Sequence, residues 1–469
     1  MTINSFLFWL VFPFIFLFYW VIPSSKPLWK KCFLILVSYL IYMSFFAWHA
    51  LVLMYVTVIT YWGARIIEKK EKRRKATIWA LLSASFAPLF FFKYLDFFAS
   101  STSIALGWMG IHFEVAGLNW AIPVGLSFFS LQAVAYMVEV YYGKTKAETN
   151  FVDYILFLSF FPHIICGPIS LSKELLPQIK KPQPFNYALA SSGMKRVVWG
   201  MFLKLAVADR AGLFVDHVYG HFDRFTGSDC FLTSVIYSIQ VYADFAGYSM
   251  MAIGVANLLG YKLPENFRQP YFAVTVGDFW RRWHLTLSRW LKYNIYIPLK
   301  GSRCSKPRNY FNLIATFTVS GLWHGANWTF VFWGMTHGIS IAVEKMLKIH
   351  KFEHISMPVR LMRIFITFNI VNFSRFFFRM PTLTDAFNLI GHTFSDLASP
   401  LTQLHEPSLI YFLLVLPILV AVDVYQEFFE GKFNVVRSKY AQWGGYTFLV
   451  LVILMLGVLD GGEFIYAQF

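Results

Sequence analysis

An all-α polytopic membrane fold is predicted by three features of the chain. Apolar runs near twenty residues recur along it, the length a helix needs to cross about 30 Å of hydrocarbon. Only 14% of its 469 residues are charged while 57% are hydrophobic; soluble domains carry roughly 25% charge. Lys and Arg gather in alternate loops between the runs, as positive-inside topology requires. The runs are too long for the alternating segments of about ten residues that build β-barrels. The formal charge of +16 lies in those loops, so it argues for membrane topology and against a nucleic-acid partner.

Taken in order, spans are expected near residues 6–22, 31–47, 50–67, 77–95, 120–142, 197–219, 231–258, 311–328, 329–346, 361–378, 408–426 and 446–460. That makes about twelve. The first lacks a basic n-region and a small-residue cleavage site, so it reads as a retained helix. The charge run from Glu68 to Lys75 should face the cytoplasm, which puts both termini outside. Lys26, Lys30, Lys31, Lys144, Lys146, the stretch from Lys173 to Arg196 and the 261–310 loop then all fall inside. Cys32, Cys166, Cys230 and Cys304 are far apart and show no paired ligand spacing, so neither a disulfide framework nor a metal site is expected. No internal repeat is visible, which weakens a transporter reading.

Two segments do not read as simple spans. Residues 153–169 are apolar but carry Pro162, His163, Gly167 and Pro168, which predicts a re-entrant helix broken at depth beside a cavity. Within residues 277–292, Phe279, Trp280, Trp283, Leu287, Trp290 and Leu291 recur at helical spacing among arginines. One amphipathic helix at the cytoplasmic interface is predicted there.

The first candidate for chemistry is His324, in the middle of the apolar run 311–334. Ionisable groups at that depth are costly and kept where they face a bundle interior or a wet cavity. A neutral imidazole there can act as a base; the plainer alternative is an inert, fully hydrogen-bonded core histidine. Ser320 shares a helical face with it and either orients the ring, forms a nucleophile-base pair with it or, more simply, bonds back to the preceding turn. The 261–310 segment feeding this run holds ten Lys or Arg against two acids, with His284 beside Arg281 and Arg282. Those guanidinium groups suit a phosphate-bearing donor such as coenzyme A or a phosphopantetheine arm; alternatively they snorkel to lipid headgroups. Asp244, Arg375 and Arg379 are expected to be structural, as an intramembrane ion pair holding the bundle.

Several segments together resemble the membrane-bound O-acyltransferase family, and within it the alginate O-acetyltransferase branch. They are WRRWHLTLSRWLKYNIYIPLKGSR, SGLWHGANWTFVFWG, YADFAGYSMMAIG with PENFRQPY, FFPHIICGPI, IPVGLSFFSLQAVAYMVEVYYGK, the FFKY at 91–94, and the terminal FIYAQF. They run in family order along the chain. The resemblance implies a single membrane-embedded domain over 1–469, with re-entrant and interfacial helices around a central tunnel. It also implies that the motif histidines are His284 and His324, the second catalytic. Related D-alanyl transferases of teichoic acid synthesis work with a small peptide whose tail carries an acyl-bearing tyrosine. Residues 446–469 look like that peptide fused on, which makes Tyr466 a possible acyl carrier; otherwise it is an interfacial belt tyrosine. The chain departs from the family pattern at Ala467 and at Lys300, where a glycine is usual, and Lys300 could alter donor binding.

The implied activity is acetyl, or other short-acyl, transfer from a cytoplasmic thioester, acetyl-CoA or an acyl carrier protein, to an extracytoplasmic polysaccharide such as alginate or peptidoglycan. No permanently bound cofactor or metal is implied. The partners would be a serine-hydrolase-type acyltransferase outside a bacterial inner membrane, the cytoplasmic donor, and lipid. The rivals are D-alanyl transfer to teichoic acid, lipid or protein acylation, and a proton-coupled small-anion transporter.

Overall fold

The computed structural model describes residues 2–69, 72–112, 117, 120–349, 355–429 and 438–459. They form two compact units, residues 1–194 with 252–264, and 195–251 with 265–469. Each predicted span falls on a helix. In chain order these are α1 (Phe6–Val21), α2 (Pro27–Met43), α3 (His49–Lys69), α4 (Arg74–Leu89), α5 (Leu95–Trp108), α6 (Leu126–Tyr141), α7 (Phe151–Ser159), α8 (Phe161–Ile164), α9 (Ser172–Lys180) and α10 (Tyr187–Met201). There follow α11 (Asp209–Tyr219), α12 (Gly227–Leu258), α13 (Val276–Phe279), α14 (Leu285–Leu291), α15 (Lys306–His324), α16 (Trp328–Met346), α17 (Met357–Arg379), α18 (Leu383–Ser395), α19 (Pro407–Phe428) and α20 (Lys439–Leu456). By length and composition α3, the continuous run Arg74–Trp108, α17 and α19 can each cross a membrane; α1, α6 and Tyr440–Leu456 are shorter apolar helices.

In the first unit α1 buries Phe8, Phe12, Ile15 and Tyr19, a stripe at spacings of four and three that marks one helical face. Its other face leaves Phe6, Leu10, Phe14 and Leu17 exposed, as a lipid-facing helix does. By contrast α6 is buried on nearly every side, including Phe128 through Met137, so it is the core helix of this unit. The predicted break in residues 153–169 occurs between α7 and α8, at Phe160. Such a break at depth leaves backbone groups that protein must satisfy. Ser38 does this: its hydroxyl donates to the Leu34 carbonyl at 2.7 Å and accepts from the Phe161 N–H at 3.1 Å. Lys31 pairs with Asp153 at 2.5 Å and Lys180 with Glu148 at 2.7 Å, fastening the start of this stretch to α2 and α9.

The second unit is built around the antiparallel pair α15 and α16. The run 311–334 is therefore two helices and not one span with His324 in its middle. The chain turns at Gly325, Ala326 and Asn327, and His324 is the last residue of α15. Its burial, at 2% exposure, comes from neighbouring side chains and not from its distance to the helix ends. Small residues let these helices meet almost backbone to backbone, the usual device where lipid supplies no hydrophobic drive. A Cβ on Gly334 would overlap the Phe317 carbonyl and lie 3.1 Å from the Gly321 Cα. Gly334→Val is expected to cost about 1–3 kcal/mol, as overpacking does, and to lower the melting temperature in detergent. An unchanged melting temperature would show that the two helices part freely.

Between α10 and α11 the helix widens into a π segment, Phe202–Ala208, a form that often marks a functional or strained position. It carries Lys204, whose ammonium meets Asp209 at 2.8 Å and Asp244 at 2.7 Å. The expected partnership of Asp244 with Arg375 or Arg379 is thus not the one formed. Arg379 pairs instead with Asp216 at 2.7 Å. The same π segment holds the end of α20, where the Val458 N–H donates to the Leu205 carbonyl at 2.9 Å. Arg210 Nε adds a bond to the Leu456 carbonyl at 2.5 Å.

Candidate active site

All the chemistry-bearing groups described next belong to the second unit. Residues 277–292 do not form the single amphipathic helix that their spacing suggests. α13 and α14 are separated by residues 280–284, the last of which, His284, adopts φ +43°, a left-handed conformation that costs a β-carbon-bearing residue roughly 1–2 kcal/mol. Asn266 stabilises this kink. Its backbone carbonyl accepts from the Leu285 N–H at 3.0 Å, and its side-chain oxygen accepts from the Thr286 N–H at 3.3 Å and the Thr286 hydroxyl at 2.9 Å. The periodic aromatics remain buried, Phe279 on α13, Trp290 on α14, and Trp280 and Trp283 in the turn between them.

The same Asn266 oxygen fixes the tautomer of His284. A backbone N–H only donates, so the atom that meets Thr286 N must be the amide oxygen. His284 Nδ1, 3.1 Å from it, therefore carries the proton, and Nε2 carries the lone pair. The amide nitrogen of Asn266 in turn donates to Ser249 Oγ at 3.2 Å, a second support for that orientation.

His324 is fixed in the same sense by a different group. Its Nδ1 lies 2.6 Å from the Ser320 carbonyl, which only accepts, so Nδ1 bears the proton and Nε2 is the basic nitrogen. Ser320 orients the ring through its backbone; its hydroxyl has no hydrogen-bond partner among the described residues. The back-bonded serine and the nucleophile-base pair expected of that hydroxyl are both absent there. Trp323 links the two histidines, its ring 6.0 Å from His284 and 4.9 Å from His324.

A third buried histidine, His337 on α16, was not singled out by the sequence reading. Like His324, it is an ionisable group inside an apolar run. Ser374 Oγ donates to the Val371 carbonyl at 2.6 Å and lies 3.0 Å from His337 Nε2. A hydroxyl has one proton, so His337 Nε2 must donate to it and Nδ1 keeps the lone pair. Trp333 separates this histidine from His324, with ring centroids 4.9 Å and 4.7 Å away.

Next to this ring layer lies a cavity of about 630 Å³ whose polar lining includes Arg281, Arg289, Lys292, Glu344 and Lys345. Trp280 and Phe317, 5.0 Å apart, belong to its apolar wall. Trp280 also contacts His337 at 5.2 Å and Trp333 at 5.8 Å, so one side chain faces both the cavity and the histidine layer. Glu344 is occupied in accepting from the backbone N–H groups of Val276 and Gly277 at 2.5 and 3.0 Å. That leaves the lining with a cationic excess.

The three basic residues read as donor contacts part company here. Arg281 lines the cavity and its side chain is 63% exposed. Arg282 lies outside the lining and is held by Glu427 at 2.6 Å and Asp278 at 3.0 Å. Burial works against its charge, but the two carboxylates outweigh burial and hold its pKa above the ordinary guanidinium value. Arg360 joins the same Glu427 at 2.5 Å, which makes this a structural knot. Lys300 occupies a tight turn at φ +75°, a conformation that favours glycine, and it too lies outside the lining. Arg289, Lys292 and Lys345 line the cavity instead. Tyr466 lies outside the described residues.

Comparison with known proteins bears directly on this arrangement. The sequence model of the membrane-bound O-acyltransferase family matches residues 4–383. The chain is 36% identical to the peptidoglycan O-acetyltransferase of Helicobacter pylori over 80% of its length and 76% of that protein's. It is 33% identical to the probable alginate O-acetylase AlgI of Azotobacter vinelandii, over 91% of this chain and 85% of the relative. A teichoic acid D-alanyltransferase of Streptococcus thermophilus is 28% identical over 47% of this chain and 56% of its own. A multi-pass helical chain with three buried histidines in a ring layer next to a cationic cavity is thus matched over most of its length, and it belongs to the membrane-bound O-acyltransferase family.

Proposed function

We propose that the protein takes a short acyl group, acetyl in the first instance, from a cytoplasmic thioester and delivers it for O-acetylation of an extracytoplasmic polysaccharide. The observation that carries this reading is the cavity with cationic groups in its lining and Trp280 at its inner wall, one ring layer from His324. Arg281, Arg289, Lys292 and Lys345 suit the phosphates of a coenzyme A or phosphopantetheine donor. A charged donor of that kind cannot cross the bilayer, whereas its acyl carbon alone can be passed along a narrow path. His324 Nε2 is the base that removes a proton from the attacking hydroxyl, and His284 stands beside it as support. No resident cofactor is needed, since the thioester itself supplies the leaving group.

The relatives named for peptidoglycan and alginate O-acetylation favour a polysaccharide acceptor. A partner enzyme of serine-hydrolase type, outside a bacterial inner membrane, would complete the transfer. Tyr466 is the proposed carrier between the two proteins, on a tail placed outside by the loop charges. The partial match to D-alanyltransferases supports D-alanyl transfer as the second reading.

The test uses full-length protein with labelled acetyl-CoA or a D-alanyl-loaded carrier protein, followed by intact and peptide mass spectrometry. An acetyl adduct on Tyr466, lost in Tyr466→Phe, is the expected result. A D-alanyl adduct in its place would select the second reading. If no adduct forms while cellular polysaccharide acetylation continues in Tyr466→Phe, the acyl group moves directly to its acceptor and the relay is wrong.

A further inference from the structure

A guanidinium keeps its charge at any accessible pH, and burying it within a spanning helix is expensive unless something compensates. The second unit compensates most such groups, Lys204 with two aspartates and Arg282 and Arg360 with Glu427. Arg375 on α17 is different. It is 1% exposed, forms no ion pair with any described residue, and its Nε and Nη1 meet no acceptor there.

Its surroundings are aromatic. The guanidinium carbon lies 4.9 Å from the Trp283 ring centre and 5.5 Å from that of Phe378. The Tyr271 hydroxyl donates to the Ser238 carbonyl, and its oxygen, which can still accept, lies against the guanidinium. Cation–π contact returns less than burial of the charge takes away, so packing alone does not account for an arginine here. The Phe378 ring, moreover, is shared: it lies 5.9 Å from the His324 ring and 5.2 Å from Trp333. The uncompensated cation and the catalytic imidazole therefore rest on the same side chain.

We propose that Arg375 is a catalytic residue of the acyl transfer, donating Nε–H and Nη1–H to the acyl carbonyl oxygen as it becomes an oxyanion. This rests on the acyl-transfer reading of His324. The acceptor hydroxyl oxygen bonds to the carbonyl carbon while its proton passes to His324 Nε2. The carbonyl π pair moves onto oxygen, where the guanidinium holds it. Collapse restores the C=O, breaks the carbon–sulfur bond, and returns the proton from His324 to the departing thiolate as thiol. A positive group fixed where negative charge develops, and costly when that charge is absent, is what oxyanion stabilisation calls for.

The experiment uses full-length Arg375→Gln and Arg375→Lys. Cells lacking the native copy are assayed for polysaccharide ester content, and the purified proteins for acetyl-CoA turnover, melting temperature and analogue binding. Turnover is expected to fall about a hundredfold in the Gln variant and less in the Lys variant, with KM changed less than about threefold. A trifluoromethyl-ketone analogue of acetyl-CoA, whose hydrate mimics the tetrahedral adduct, should lose its binding advantage over the S-ethyl thioether of CoA. Equal weakening of both analogues overturns the proposal and makes Arg375 structural. Should the Gln variant not fold, wild-type turnover and ester content in the Lys variant overturn it as well. Wild-type protein inert toward acetyl-CoA would discard the coenzyme A donor alone, because ester content in cells still reports on Arg375.

Discussion

Replacing His324 by Asn is expected to reduce acyl transfer by about 10²–10⁴-fold, the range that removal of a general base produces, with little change in stability. Asn keeps a donor at the position of Nδ1, so the bond to the Ser320 carbonyl at 2.6 Å can persist. What it deletes is Nε2, the only nitrogen of this ring that the tautomer leaves basic. His324→Ala should be equally inactive but less stable, because it also opens a void among Trp323, Trp333 and Phe378. Ester content in cells and thioester turnover in detergent measure the activity, and melting temperatures separate the two variants. An Asn variant retaining more than a tenth of wild-type activity would mean that Nε2 does not handle the proton.

Replacing Lys204 by Met is expected to destabilise the second unit by about 3–5 kcal/mol, the usual consequence of removing one partner from a buried ion pair. Lys204 is 1% exposed and faces Asp209 and Asp244, so its loss leaves two carboxylates together in a dry interior. Converting both acids to Asn in the same chain should restore most of the stability, since neutral groups do not need the cation. The effect should spread to the last helix, because the π segment around Lys204 bonds Val458 and the neighbouring Arg210 bonds Leu456. Thermal melting in detergent and proteolysis of the segment after α20 read the two effects. A Lys204→Met protein as stable as wild type would show that the triad is hydrated in place and carries no such energy.

Where sequence reading erred, the reason lies in local geometry that spacing cannot encode. Helical periodicity in residues 277–292 is real, since the same residues are buried. It cannot reveal that Asn266, eighteen positions upstream of His284, bends the chain between them. Arg281 and Arg282 are adjacent and chemically identical, yet one lines a cavity and the other is held by Glu427, 145 residues away in sequence. Asp244 looked for a basic partner among the arginines of α17 and found Lys204 instead.

The sequence by itself determined the helical membrane architecture and the family, and it marked His284 and His324 as candidates. The architecture follows from composition, run length and charge alternation, properties summed over many residues that survive any detail of side-chain contact; the family and its two motif histidines follow from segments such as WRRWHLTLSRW and SGLWHGANWTFVFWG that resemble it. Only the tertiary structure decided which nitrogen of each histidine is basic, which cations line the cavity, and that buried Arg375 forms no ion pair among the described residues. Those depend on single hydrogen bonds and ion pairs between residues distant in the chain. Such contacts reach only a few ångströms, so they are settled where the backbone brings partners together and leave no periodic trace in the sequence.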